Sequence, residues 1–193
     1  MLRHALRLAV AALLAQSAAA FAQPDPAQAE ALLGAQRAAM TRLAAMDGAW
    51  RGTATFLLPG GLRRSVTQTE RIGPLLGGTV KVIEGRGYDD AGGVTFNALG
   101  VVSFDSATSR YTLRSYAHGR AGDFAFEPTA DGYRWQAPAP GATIRYEATI
   151  RDGVLHEVGD RVVEGAPPQR FFEMTLRRVG DSSWPAGDPV PPK

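Results

Sequence analysis

ATIRYEATIR (142–151), the dipeptide DG (152–153) and VLHEVGDRVV (154–163) read consecutively as strand, tight turn and strand. Side chains along a strand point alternately to opposite faces, so a period of two in apolar positions marks a half-buried strand. Asp-Gly between two such runs is a strong short-range hairpin signal, because the favoured two-residue turns need positive φ. Working outward, the same grammar covers most of the chain. Ten strand-like runs fall at about 49–58, 63–72, 79–88, 94–105, 110–118, 123–128, 132–137, 142–151, 154–163 and 170–179. Turn chemistry separates them: Pro59-Gly60-Gly61, Gly77-Gly78, Asp89 to Gly93, Asp105 to Thr108, Asp131-Gly132 and Pro140-Gly141. No helical run intervenes, so neighbours in sequence pair as an antiparallel meander. A meander of this length removes its two exposed edges by closing. The expected fold is mainly β, a single up-and-down barrel of about ten strands; a two-sheet sandwich is the alternative.

Before the strands the period is different. Over 26–46 (PAQAEALLGAQRAAMTRLAAM), Leu32, Leu33, Ala35, Ala39, Met40, Leu43 and Met46 recur at spacings of three and four. Asp25-Pro26 suits an N-cap with proline at the first helical position, and Asp47-Gly48 ends the run. One amphipathic helix is predicted, its apolar stripe packed on the barrel or capping an end. Its polar face carries only Arg37 and Arg42 as basic residues, too few for a membrane-surface helix.

The N-terminus reads as an address. Arg3 and Arg7 form a basic start, LAVAALLA (8–15) an apolar stretch, and Ala20-Phe21-Ala22 a small-residue cleavage motif before Gln23. The apolar stretch is shorter than the roughly 20 residues a spanning helix needs. The expected organisation is a signal peptide at 1–22, a helical segment at 23–47, the barrel at 48–180 and a Pro-rich tail at 181–193. The mature protein is expected in the periplasm or outside the cell, without stable membrane insertion. Lys and Arg total 21 against 19 for Asp and Glu, and removing Arg3 and Arg7 makes them equal. With no basic stripe, nucleic-acid binding is not expected. The chain has no cysteine, which excludes disulfides, thiolate metal sites and a cysteine nucleophile.

Gly48-Ala49-Trp50-Arg51-Gly52 resembles the G-x-W-x-G opening strand of calycins, among them lipocalins and nitrobindin-like haem barrels. GYDDAGGVTFNALGVVSFDSATSRYTLRSYA (87–117) and FFEMTLRRV (171–179) resemble the bacterial family DUF1579, which is similar to ten-stranded calycin barrels. The resemblance spans about 46–179 and bears on fold rather than activity. It implies that Trp50 plugs one barrel end and that a basic residue of the last strand, here Arg178, packs over it. A nitrobindin-like haem ligand would be a histidine near the C-terminal end of the barrel. The last strand has none, and His118 and His156 do not match that pattern, so no haem or other cofactor is expected.

An interior of this size admits a small ligand. The faces that mix polar and apolar residues nominate Gln68, Glu70, Glu84, Arg86, Arg114 and Tyr116 as cavity-lining groups, if those faces point inward. No G-x-S-x-G elbow, P-loop or dinucleotide fingerprint is present. Two mature histidines are too few for a zinc site, and no calcium loop is spelled out. No catalytic or metal-binding residue is therefore nominated. The expected role is binding of a small hydrophobic or amphiphilic molecule. The alternatives are a structural or interaction module with a filled barrel and, further off, an enzyme on the same scaffold.

Overall fold

The computed structural model of the chain describes residues 25–182. It divides into two units, Met1–Leu33 and Gly34–Lys193. In the first, the described residues begin helix α1 (Pro26–Thr41), whose N-terminus Asp25 caps by accepting from the Ala27 N–H at 3.3 Å. The second holds the rest of α1, a short 3-10 turn (Ala44–Met46) and ten strands.

Those strands are β1 (Gly48–Leu57), β2 (Arg63–Leu75), β3 (Val80–Tyr88), β4 (Val94–Asp105), β5 (Arg110–Ala117), β6 (Arg120–Pro128), β7 (Gly132–Ala139), β8 (Ala142–Arg151), β9 (Val154–Val162) and β10 (Gln169–Gly180). Each pairs antiparallel with its sequence neighbours, and β10 pairs with β1 to close the barrel. The fold is the expected up-and-down barrel, and its ten antiparallel strands are consistent with a calycin-like architecture. Two-residue turns explain its tightness. His118-Gly119 and Asp152-Gly153 both take positive φ in succession, as a primed hairpin turn demands.

One end of the barrel is closed from within the chain. Ala39, Met40, Leu43 and Met46 are buried in one cluster with Trp50, Ile72, Val102, Tyr111, Leu155 and Leu176. The Tyr111 hydroxyl donates to the Ala39 carbonyl at 3.0 Å, and the Trp50 indole N–H donates to the Met46 carbonyl at 2.9 Å. Lys81, only 2% exposed, pairs with Asp47. Trp50 and Arg178 are cross-strand neighbours. Arg178 donates from Nε to the Asp47 carbonyl and from Nη2 to Asp181, at 3.2 and 2.5 Å.

The wall is not uniformly zipped. β6 and β7 pair only at Phe126–Trp135, Glu127–Arg134 and Pro128–Tyr133, the pairs nearest their connecting turn. Beyond these the strands part, although β6 stays paired to β5 and β7 to β8. Proline supplies a reason. The Ala139–Ala142 pair flanks a two-residue turn, so by alternation Gln136 and Pro138 direct their main-chain groups toward β6. Pro138 has no N–H to offer there.

Candidate functional site: the barrel interior

Register propagates inside and outside around the barrel. Trp50, buried and inward, stands opposite Glu70; Glu70 opposite Gly85; Gly85 opposite Ala98; Ala98 opposite Ala117. Paired residues share a face, so all of these look inward. In the other direction Ala54 stands opposite Met174, Met174 opposite Glu157 and Glu157 opposite Ala148.

Two of the six nominated residues therefore face the interior, Gln68 and Glu70. The other four do not. Glu84 and Arg86 lie on the outer face of β3, where Glu84 accepts from Arg71 at 2.7 Å and from Arg86 at 2.6 Å. Partial burial pushes the Glu84 carboxyl up, but those two hydrogen bonds outweigh it and hold the group below its usual range. Arg114 and Tyr116 lie on the outer face of β5; Arg114 binds Asp123 at 2.8 Å and donates to the Tyr116 hydroxyl at 2.9 Å. Mixed polarity on these faces reflects ion pairs in water, not a lined cavity.

The interior contains a cavity of about 520 Å3. Its deep part is lined by Gln68, Glu70, Tyr133, Trp135, Tyr146 and Glu157, and its apolar walls include Phe56, Leu113, Phe172 and Met174. Its mouth, at the end away from Met46 and Trp50, is lined by Leu58, Arg64, Thr95, Phe96 and His118. A larger depression of about 840 Å3 lies mainly over the outer faces of β6 to β8. Its lining includes the exposed Arg134–Glu127 pair, at 2.8 Å. The interior cavity is the stronger candidate, because only there are polar groups held away from water against apolar walls.

Glycines shape this space. A Cβ at Gly85 would lie 2.8 Å from Glu70 Oε1, and one at Gly159 2.9 Å from the Tyr146 ring. The missing side chains leave room for the carboxyl on one wall and the aromatic ring on another. Trp135 and Tyr146 stack with centroids 4.1 Å apart and planes at 8°. Phe171 and Phe172 both meet Tyr146 edge-on, at 5.9 and 5.8 Å.

The two interior carboxyls are electrostatically unusual. Gln68 donates to Glu70 at 2.7 Å, and the Trp135 indole N–H donates to Glu157 at 3.1 Å. Burial pushes Glu70 up to about 8; the Gln68 bond opposes this, while the charges of Glu157 and Glu84 add to it. Burial raises Glu157 to about 7, against hydrogen bonds from Trp135 and Tyr133. Burial also lifts Tyr146 to about 12, with help from the Glu157 charge, and carries Tyr133 well above its ordinary value. Near neutral pH, Glu70 thus keeps its proton and Glu157 titrates.

Glu157, Tyr133, Trp135 and Tyr146 were not among the nominated residues. The signal was present: in VLHEVGDRV a carboxylate sits between Leu155 and Gly159 on one alternating face, as Glu70 sits in VTQTERI between Gln68 and Ile72. What was lacking was parity, because both faces of these strands carry apolar residues. His156 lies on the outer face of β9, 3.0 Å from Glu173, and His118 is in the mouth turn against Phe96. Among the described residues, no three His, Cys, Asp or Glu side chains come together in a group that would hold a metal ion.

No protein-family model matches this sequence, and a comparison with curated proteins finds no similar one. The fold and the geometry of the interior carry the functional reading.

Proposed function

We propose that this protein is an exported binding barrel that holds a small, partly apolar molecule in its interior. The observation that carries the reading is the 520 Å3 cavity, apolar and aromatic on its walls with a few convergent polar groups at its floor. A barrel filled by its own side chains would leave no such space. The mouth adds support: Leu57, Leu58, Leu62 and Val94 are exposed in the strand ends and turn at that end, an apolar rim that an apolar ligand would meet first. Outward positions such as Arg51, Arg86, Arg114 and Arg134 are charged and exposed, the opposite of a lipid-facing band. This supports a barrel that works in water. Export rests on the reading of residues 1–22, which lie outside the described residues, and membership of DUF1579 rests on the resemblance alone.

The experiment is native mass spectrometry of the protein extracted undenatured from cells expressing the full chain. The expected result is a chain beginning at Gln23 that carries a few hundred daltons of extra mass, lost on denaturation. Bare protein from every extract, together with no uptake of neutral apolar dyes, would overturn the binding reading. A second reading is favoured by one observation. Glu157, titrating near 7 with Tyr133 and Trp135 bonded to it, has the acidity of a general acid–base group. On that reading the bound molecule is also transformed.

A further inference from the structure

We infer that the interior selects organic cations: an ammonium group on an apolar or aromatic body, its charge seated at Glu70 and Glu157 and its body against the Trp135–Tyr146 wall. This rests on the binding reading above and specifies its ligand.

The charge layout is one-sided. Glu70 from β2 and Glu157 from β9 reach the cavity floor, and their charges act on each other and on Tyr133. The other polar groups at the floor are neutral: Gln68, Tyr133, Tyr146 and the Trp135 indole N–H. The basic lining groups, Arg64 and His118, are both at the mouth. The cations at the closed end are engaged, Lys81 by the Asp47 carboxylate and Arg178 by the Asp47 carbonyl and Asp181. An anionic head placed at the floor would therefore meet two carboxyls and no countercharge. A neutral hydroxyl would gain ordinary hydrogen bonds only. An ammonium group would gain charge-assisted hydrogen bonds, which are roughly twice as strong as neutral ones. The same cation would relieve the cost of ionising two buried carboxyls. The walls suit the apolar body of such a ligand, since the Trp135–Tyr146 stack lines the cavity beside Glu157, to which the Trp135 indole donates.

pH sharpens the expectation. An alkylamine, like a lysine side chain, holds its proton to about pH 10. The groups facing the site are Glu70 from β2, Glu157 from β9, Tyr133 from β7 and Tyr146 from β8. Arg64 and His118 stand at the mouth, the Glu84 charge acts on Glu70 through the wall, and β1 and β10 contribute apolar side chains. Between about pH 5.5 and 8, Glu157 and then Glu70 are the interior groups that gain charge.

The test uses the folded wild-type protein and three probes with one body: phenylbutylamine, phenylbutanol and phenylbutyrate. Each is measured by calorimetry and by displacement of the neutral dye Nile red. The amine is expected to bind at least tenfold tighter than the alcohol near pH 8. Its affinity is expected to climb by a similar factor from about pH 5.5 to 8, following the two carboxyls, while that of the alcohol stays flat. The butyrate is expected to bind weakest. Replacing both groups (Glu70→Gln with Glu157→Gln) should erase the preference for the amine while keeping the alcohol; if that variant does not fold, the wild-type pH profile carries the same test. Dye uptake with equal amine and alcohol affinities, or a tighter butyrate, overturns the cation inference and leaves the container standing. No uptake of dye or any probe overturns the container, and the inference with it.

Discussion

At Gly52 there is no space for even one methyl group. A Cβ there would lie 2.0 Å from the Thr175 carbonyl oxygen and 2.9 Å from the Leu176 Cα, both main-chain atoms of β10. The glycine of the opening strand thus lets β1 approach β10 closely where the barrel closes on itself, next to the buried Trp50. Overpacking of this kind typically costs about 1–3 kcal/mol, and a clash with backbone lies at or above the top of that range. Gly52→Ala is expected to lower the unfolding free energy by that amount, read as a lower urea midpoint. Gly34→Ala, in α1 with nothing within 4 Å of its Cβ, should be neutral or stabilising by up to about 1 kcal/mol. Equal midpoints for the two variants would show that the closure does not depend on this contact. Gly85 illustrates another use of a missing side chain, since the space it leaves is taken by a carboxyl group rather than by backbone.

The hairpin of β6 and β7 is the element where local chemistry and barrel closure disagree. β5 and β6 are joined by a two-residue turn, so the N–H groups of Gly122 and Phe124 point to β5, and those of Ala121, Asp123 and Ala125 point across the gap. Amide hydrogen exchange should therefore alternate along one strand. Gly122 and Phe124 are expected to be protected, and Ala121, Asp123 and Ala125 to exchange orders of magnitude faster. Uniform protection along β6 would mean that the two strands are zipped in solution. This feature was only partly legible in the sequence. Pro138 forbids one ladder hydrogen bond, but which neighbour it faces follows from the turn at Pro140-Gly141, whose pairing is a structural fact. The expected β6 also began at 123 and β7 ended at 137; the two-residue turns at 118–119 and 140–141 carry them to Arg120 and Ala139.

For the molecule as a whole, the two interior carboxyls set a pH dependence of stability. Each has a folded value raised above the ordinary 4.5, Glu70 to about 8 and Glu157 to about 7. A raised carboxyl keeps its proton in the folded state while the unfolded chain releases it. Stability is therefore full below about pH 4.5 and declines up to about pH 7 for Glu157 and about pH 8 for Glu70, by at most about 1.4 kcal/mol per group per pH unit. The depressed carboxyls, Glu84, Glu127, Glu173 and Asp105, act oppositely and lose stability as acid protonates them. The thermal midpoint should peak on the acid side of neutrality and fall toward pH 8. Glu70→Gln should raise it near pH 8 by several degrees and leave it unchanged near pH 4.5. Parallel wild-type and variant curves would remove Glu70 from this account. The barrel itself was legible in the sequence because turn residues punctuate every strand and no helix separates them. The site was half legible. Gln68 and Glu70 line the cavity, whereas Glu84 and Arg114 sit on equally mixed faces whose direction only pairing with Trp50 and its neighbours resolves. Glu157 was hidden for the same reason. The parted strands carry one more consequence, for the behaviour of many copies together. A gap in a barrel is a pair of strand edges, and free edges are templates on which identical chains can zip into aggregates. Here the edges are short, Pro138 interrupts one of them, and the exposed Asp123, Glu127, Arg134, Arg145 and Glu147 stand around them. A second molecule that tried to extend this sheet would have to bury those charges and would find no donor at the proline, so concentrated solutions should stay free of fibres despite the open side.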